Sequence, residues 1–267
     1  MNISKQLNKL EKVNKQGPDK AFTMYLNTDP SDPEQQGGEW KLQFKNGLRN
    51  FEQYLEEANN KEELKNFQLV KQKVKKYVFE NELALRKGII IFASASEDVW
   101  FAARFQARLK TEFYWQETPV LDQLKSLCEH YPRTGVILVQ QNEIKIIESY
   151  LNDVENTVYY ELNLDTDDWR QKVGPRAANN TTGLGSINAQ KENFKDRYEA
   201  NKHRWYKCIA SKLDKRAKDN HWEKIYVVGE ADASQEIKTQ MNMLVDKVIH
   251  KNMLDHKESK VLSEVFG

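Results

Sequence analysis

An α+β fold in two domains is what this sequence predicts, and three observations carry the prediction. Helical stripes such as Trp40, Phe44, Leu48, Phe51 and Leu55 occur along the same chain as short strand-like runs such as GIIIFAS and TGVILVQ. The 267 residues, 39% hydrophobic, suffice for one large or two ordinary domains. The turn-like YPRTG separates two such mixed stretches and places domains at residues 1–132 and 133–267.

In the first domain, Ile3, Leu7, Leu10 and Val13 are spaced like a short amphipathic helix. GPDK is a turn, AFTMYLNT a strand, and the Pro/Gly/Asp-rich DPSDPEQQGG a loop. The stripe from Trp40 predicts a second helix, and Leu64, Phe67, Val70, Val74, Tyr77 and Val78 a third. GIIIFAS and VWFAARFQA read as adjacent strands, and PVLDQLKSLCEHY as a helix.

The second domain opens with TGVILVQ, the turn QN, EIKIIES and ENTVYYELN, an antiparallel meander. Asp165, Asp167 and Asp168 follow in a turn-like stretch that reads as solvated loop. A long glycine-containing loop, GPRAANNTTGLGSINAQ, covers residues 174–190, and a basic helix follows with Phe194, Tyr198, Trp205, Ile209 and Leu213 as its apolar stripe. EKIYVVG is a buried strand. DASQEIKTQMNMLVDKVIH is predicted as one helix, with Asp232 or Ser234 as N-cap. KNMLD and ESKVLSEVF are predicted as a short strand and a final helix.

Charge is informative through its placement. The net charge is only +1, yet residues 170–218 hold 13 Lys and Arg against 4 acids, a local +9. The remainder, 28 basic against 36 acidic, is therefore −8. Residues 170–191 contain no acid at all. Such a gathering of positive charge suits a phosphate-binding surface, and a solvated helix with scattered ion pairs is the alternative.

Several classes are disfavoured. No apolar run approaches the roughly 18 residues of a membrane span, and the start lacks the core and cleavage site of a signal peptide. Cys128 and Cys208 lack metal-ligand spacing and read as free thiols of a cytoplasmic protein, with Cys208 expected to be buried beside the apolar stripe. VILVQQ offers no carboxylate for a two-metal nuclease. GLGSIN is too short for a dinucleotide fingerprint and follows a polar loop. Neither a P-loop nor a His/Cys metal pattern is present, so no cofactor or metal is expected.

The order of parts in residues 133–267 resembles the middle domain of the archaeo-eukaryotic class I peptide-release-factor family, which includes Pelota-type rescue factors and bacterial relatives. GVILVQQNEIKIIES resembles its opening hairpin, and GLGSINAQKENF sits where the family carries a glycine-rich loop ending in glutamine. FKDRYEANKHRWYKCI, with His203 inside it, resembles the basic helix that follows. KIYVVGEADASQEI resembles the next strand and its Gly229, Ala231, Asp232 turn. The first domain's helix, strand, two helices and hairpin resemble the family's N-terminal domain. The resemblance implies a ribonuclease-H-like mixed sheet for the second domain, ribosome association, rRNA and tRNA as partners in place of membrane or DNA, and delivery by a translational GTPase as one option.

Two departures qualify what carries over. Gly183 and Gly185 are separated by Leu184, and Gln190 comes four residues after Ser186 instead of directly after paired glycines. The segment after the first strand offers no stop-codon-reading motif, and the sequence stops where the family's third domain would begin, so codon-independent action is expected.

Hydrolysis of peptidyl-tRNA needs a positioned water and donors for the developing oxyanion. On the resemblance, Gln190 supplies the water-orienting amide or a backbone N–H, while Gly183, Gly185 and Ser186 shape the backbone's approach to RNA. Equally, Gln190 can be just an early residue of a helix capped by Ser186 or Asn188. Arg176, Lys191, Lys195, Arg197, Lys202, Arg204 and Lys207 are the phosphate-binding candidates. Tyr198 and Trp205 suit either base stacking or core packing. Two functions remain open: codon-independent peptidyl-tRNA hydrolysis in ribosome rescue or quality control, and a non-hydrolytic A-site or tRNA-binding factor of rescue or hibernation.

Overall fold

A computed structural model describes residues 3–140, 142–163, 168–172, 174 and 187–267, with the side chains of Ser4 and of residues 187–198 outside the description. The fold is α+β, in two compact units, Met1–His130 and Tyr131–Gly267. Among the described residues, no helix is long and apolar enough to cross a membrane.

The first unit contains helix α1 (Ile3–Leu10), strand β1 (Ala21–Asn27), helices α2 (Trp40–Glu57) and α3 (Lys61–Glu80), strands β2 (Gly88–Ala93), β3 (Trp100–Phe105) and β4 (Glu112–Gln116), and helix α4 (Asp122–His130). Its strands form an antiparallel sheet in the order β3-β2-β1-β4. Phe22, Met24, Leu26, Ile89 and Ile91 face Phe44, Leu48, Phe67, Val70 and Val74 of α2 and α3 in one buried cluster. Asn60 caps α3 by accepting from the Glu63 N–H, while its own amide donates to the Glu63 carboxylate at 2.7 Å. On the sheet's other face, Tyr25 Oη donates to the Val120 carbonyl at 2.6 Å, tying down the lead into α4.

β4 is a strand that the hydrophobic pattern did not reveal. It pairs with β1 from Gln116 against Ala21 to Glu112 against Tyr25, at the edge of the sheet and half-exposed along most of its length. Its signal was the aromatic run Phe113, Tyr114, Trp115, of a type enriched in strands. Trp115 stacks edge-on against Phe67 at 5.2 Å and donates to Glu63 Oε1 at 2.9 Å.

The second unit runs β5 (Thr134–Gln140), β6 (Glu143–Tyr150), β7 (Asp153–Asn163), β8 (Asp168–Lys172), α5 (Ile187–Asp219), β9 (Lys224–Gly229), α6 (Ala231–Gln240), β10 (Lys247–Ile249) and α7 (Glu258–Phe266). The six strands are ordered β10-β9-β5-β6-β7-β8, parallel across β10, β9 and β5 and antiparallel from β5 onward. The meander followed by parallel strands on the other side of β5 is the mixed order of a ribonuclease-H-like sheet. α5 and α6 cover one face through Trp205, Ile209, Leu213, Ala233 and Ile237. α7 covers part of the other through Val261, Leu262 and Val265.

The structure departs from the sequence pattern at four places in this unit. Asp168 opens strand β8 instead of lying in a loop; Asp165 and Asp167 lie outside the described residues. β8 forms because Trp169 is buried in the α5 core and its Nε1 donates to the Trp205 carbonyl at 2.9 Å. α6 ends at Gln240 and does not continue to His250. The buried Asp214 carboxylate accepts the Asn242 N–H, the Met243 N–H and the Asn242 amide, all at 2.8 to 2.9 Å, which holds the chain away from helix. The strand expected at KNMLD is Lys247–Ile249, pulled into register by parallel pairing with β9. The cap is Glu230 without a side-chain bond; Ser234 instead donates back toward the Glu230 carbonyl at 2.7 Å.

Removing the Asp214 acceptor leaves three donors without it. Asp214→Ala is expected to lower stability by about 3 kcal/mol, read by urea unfolding, with Asp214→Asn losing less. Unchanged stability in both variants rejects this anchor.

In the first unit, Lys15 Nζ sits 2.5 Å from Asp98 Oδ2 and 3.2 Å from Asp19 Oδ2, and Ser94 and Ser96 both donate to Asp98 Oδ1 at 2.7 Å. The Lys15 ammonium, with the two hydroxyls, holds the Asp98 carboxyl well below the usual carboxylate range despite partial burial. A depressed folded-state value means that this contribution is present above the unfolded value, roughly 4, and fades as pH falls through the folded one. The melting-temperature gap between wild type and Asp98→Asn should therefore be widest near neutrality and close as pH drops below 3. A gap independent of pH in that window contradicts the assignment.

Candidate nucleic-acid interface on the long basic helix

α5 has 33 residues, an axial length of about 50 Å at the helical rise. Apolar residues at helical spacing dock its second half on the sheet: Trp205, Tyr206, Ile209, Ala210, Leu213 and Ala217 are all buried. Glu199 lies seven residues before Tyr206, and so in nearly the same phase, yet it is exposed. The helix has left the cover of the sheet by that point.

The opposite face follows from the same phase. Arg204, Lys207, Ser211, Lys215 and Lys218 recur at three- and four-residue steps and are all exposed. They form a ridge about 21 Å long at the helical rise, with no acidic side chain between them on that face. Arg204 donates to Asn201 Oδ1 at 3.0 Å.

Off the ridge, four described residues of the helix make contacts within the protein. Lys212 Nζ donates to Asp168 Oδ1 at 3.1 Å and to the Trp169 carbonyl at 2.8 Å. Arg216 pairs with the buried Glu148 at 2.9 Å, and Asn220 donates to the same carboxylate at 2.7 Å. Lys202 lies 3.0 Å from Glu199. His203 Nδ1 is 2.6 Å from Glu236 Oε1, a strut to α6 that sits beside the ridge.

Of the sequence candidates, Arg204 and Lys207 stand together on the ridge, and Lys202 faces elsewhere. Lys191, Lys195 and Arg197 lie within α5, their side chains outside the description, as are those of Phe194 and Tyr198. Arg176, Gly183, Gly185 and Ser186 lie outside the described residues. Gln190 is not part of a loop reaching to residue 190: α5 begins at Ile187, which puts Gln190 in its first turn. Lys215 and Lys218 were missed, although helical phase counted from Arg204 would have found them. Trp205 is core, 1% exposed, and so is not available for stacking.

Cys208 is also corrected, from buried to exposed. It lies on the solvent side of the helix, with Sγ 3.4 Å from Asp168 Oδ1. Partial desolvation and then the Asp168 carboxylate push its thiol up, away from the reactive thiolate. Among the described residues, no group of three or more His, Cys, Asp or Glu is placed to hold a metal ion.

The sequence is similar to those of known proteins. Residues 132–267, just over half of the chain, match the model of bacterial archaeo-eukaryotic release factor family 5. "Uncharacterized protein YocB" of Bacillus subtilis (strain 168) is 35% identical over 266 residues, covering 99% of this chain and 98% of that protein. Among solved structures, an archaeal protein and the archaeal translation termination factor aRF1 are each 12% identical, covering 98% of this chain and 72% of theirs, with TM-scores of 0.32 and 0.33. By the family match and the near full-length relative, the chain belongs to bacterial archaeo-eukaryotic release factor family 5.

Proposed function

We propose that this protein works on the ribosome in the cytoplasm as a codon-independent peptidyl-tRNA hydrolase of rescue or quality control. The observation that carries the reading is the uninterrupted basic ridge of α5 in a member of a release-factor family. The ridge would lie along rRNA or tRNA phosphates. Residues 133–267 would carry the chemistry, with 1–132 as an N-terminal release-factor-like domain, and a translational GTPase is a candidate for delivery.

In this reading, the segment containing Gly183, Gly185 and Ser186 approaches the ester, and the Gln190 side chain orients the attacking water. A helix starting at Ile187 leaves the N–H groups of Ile187, Asn188 and Ala189, directly before Gln190, without intrahelical acceptors. Those groups are suited to an oxyanion, with the helix dipole adding to the attraction. Arg176, Lys191, Lys195 and Arg197 would extend the phosphate contacts of Arg204 and Lys207.

A second reading, a non-hydrolytic A-site or tRNA-binding factor, draws on one specific observation. Gln190 stands inside the first turn of α5, separated in sequence from both glycines. Purified ribosome–peptidyl-tRNA complexes discriminate the two. The hydrolase reading expects peptide release by wild type and a loss of at least about 100-fold in Gln190→Ala, the scale of removing one transition-state donor. Release that Gln190→Ala leaves intact rejects the site; binding without any release supports the second reading.

The ridge is tested by salt. Replacing Arg204, Lys207, Lys215 and Lys218 together by Ala should flatten the dependence of log affinity for ribosomes on log salt by about 3, near 0.7 to 0.9 per lost phosphate contact. Because these side chains are exposed, thermal stability should stay near wild type. A slope equal to wild type removes the ridge from the interface.

A further inference from the structure

The sheet face turned away from α5 holds a second arrangement that the release chemistry does not use. Lys145, Tyr159 and Lys172 are direct cross-strand partners on β6, β7 and β8, so one row places a ring between two ammonium groups. Beside the row lies a cavity of about 140 Å³, walled also by Glu143, Leu254 and Asp255.

The parts differ in what they have to offer. Lys145 is buried and committed: it lies 2.8 Å from Glu258 Oε1 and donates to the His256 carbonyl at 2.9 Å. Its ammonium is 5.7 Å from the centre of the Tyr159 ring. Tyr159 is half-buried and thereby fixed in place while still lining the cavity. Lys172, at the rim, has a side chain 39% exposed, with Glu161 as its ion partner. The carboxylates of Glu143 and Asp255 can only accept hydrogen bonds.

We propose that this cavity takes the base of an unstacked RNA nucleotide, with the base on the Tyr159 ring, an exocyclic amino group donating to Glu143 or Asp255, and the phosphate at Lys172. The proposal rests on the RNA-contacting reading above and deepens it. A fixed aromatic ring binds any base by its π-face. Carboxylate acceptors then favour cytosine and adenine, whose amino groups donate, over uracil, which presents a carbonyl at the corresponding position. Lys145 does not serve as the anion site, since its ammonium is buried between Glu258 and the His256 carbonyl, whereas the exposed Lys172 can turn to a phosphate at the rim while Glu161 stays in water.

The test is titration of the full-length chain with CMP, AMP, UMP and an oligocytidine tetranucleotide, followed by ligand-observed NMR or calorimetry. Saturable binding of CMP and AMP is expected, with UMP at least about five-fold weaker and the tetranucleotide about ten-fold tighter than CMP. Tyr159→Leu should weaken CMP about ten-fold, the scale of one lost base stack, while Tyr159→Phe keeps it. Absence of saturable binding, or equal binding by Tyr159→Leu, overturns the site. Equal affinity for CMP and the tetranucleotide assigns it to free nucleotides and overturns the RNA part. Co-sedimentation with ribosomes is read in parallel. Sedimentation by a chain that ignores nucleotides sinks the pocket alone, and nucleotide binding by a chain that does not sediment sinks the ribosomal reading alone.

Discussion

Trp205, Ile209, Leu213 and Ala217 leave water together when α5 docks on the six-stranded sheet. Burial of each large apolar side chain contributes on the order of 2 kcal/mol, and the four share one face of one helix. That docking fixes the rotation of α5 about its axis. Once the apolar stripe is inward, Arg204, Lys207, Lys215 and Lys218 have no choice but to face solvent. The contact also recruits its surroundings: β8 is held through Trp169, α6 through His203 and Glu236, and the stretch after α6 through Asp214. The candidate RNA surface is thus a consequence of core packing on the other side of the same helix.

Much of this was legible in the sequence because periodicity reports burial. The stripes of α2 and α3, the apolar strands β2, β5, β6 and β9, and the described part of the α5 stripe each show a strong one-sided or continuous pattern. The features that escaped are those decided by a distant partner. β8 has one apolar residue, Trp169, and becomes a strand only by pairing with β7 and burying that indole. α6 looks longer in sequence because nothing local reveals that Asp214, on another helix, claims the N–H groups of Asn242 and Met243. Cys208 sits one step from a buried stripe, and one step is 100° of rotation, enough to carry it to the surface.

The candidate site divides in the same way. Membership in the family and the basic character of the helix could be read from residue order and charge. Which cations pair within the fold and which face solvent could not, because ion pairing depends on who lies across the contact. Lys212 and Arg216 contribute to the sequence's local +9 but are held by Asp168 and Glu148. Lys215 and Lys218, with the same composition value, stand on the ridge.

Net charge is consequently a poor guide to what this protein binds. At physiological ionic strength the Debye length is about 8 Å, shorter than the ridge itself. Acidic residues more than that length away, though they help bring the total to +1, are screened from a phosphate lying along α5. What such a phosphate meets is the local sequence of charges within one screening length, and on this face that sequence is Arg204, Lys207, Lys215 and Lys218 without an intervening acid. Because these side chains contribute little to the core, their charge can change without unfolding the helix, whereas Arg216 cannot lose its charge without leaving Glu148 buried with less to balance it. The fold therefore separates two sets of cations on one helix, one turned inward to hold the sheet and one facing solvent.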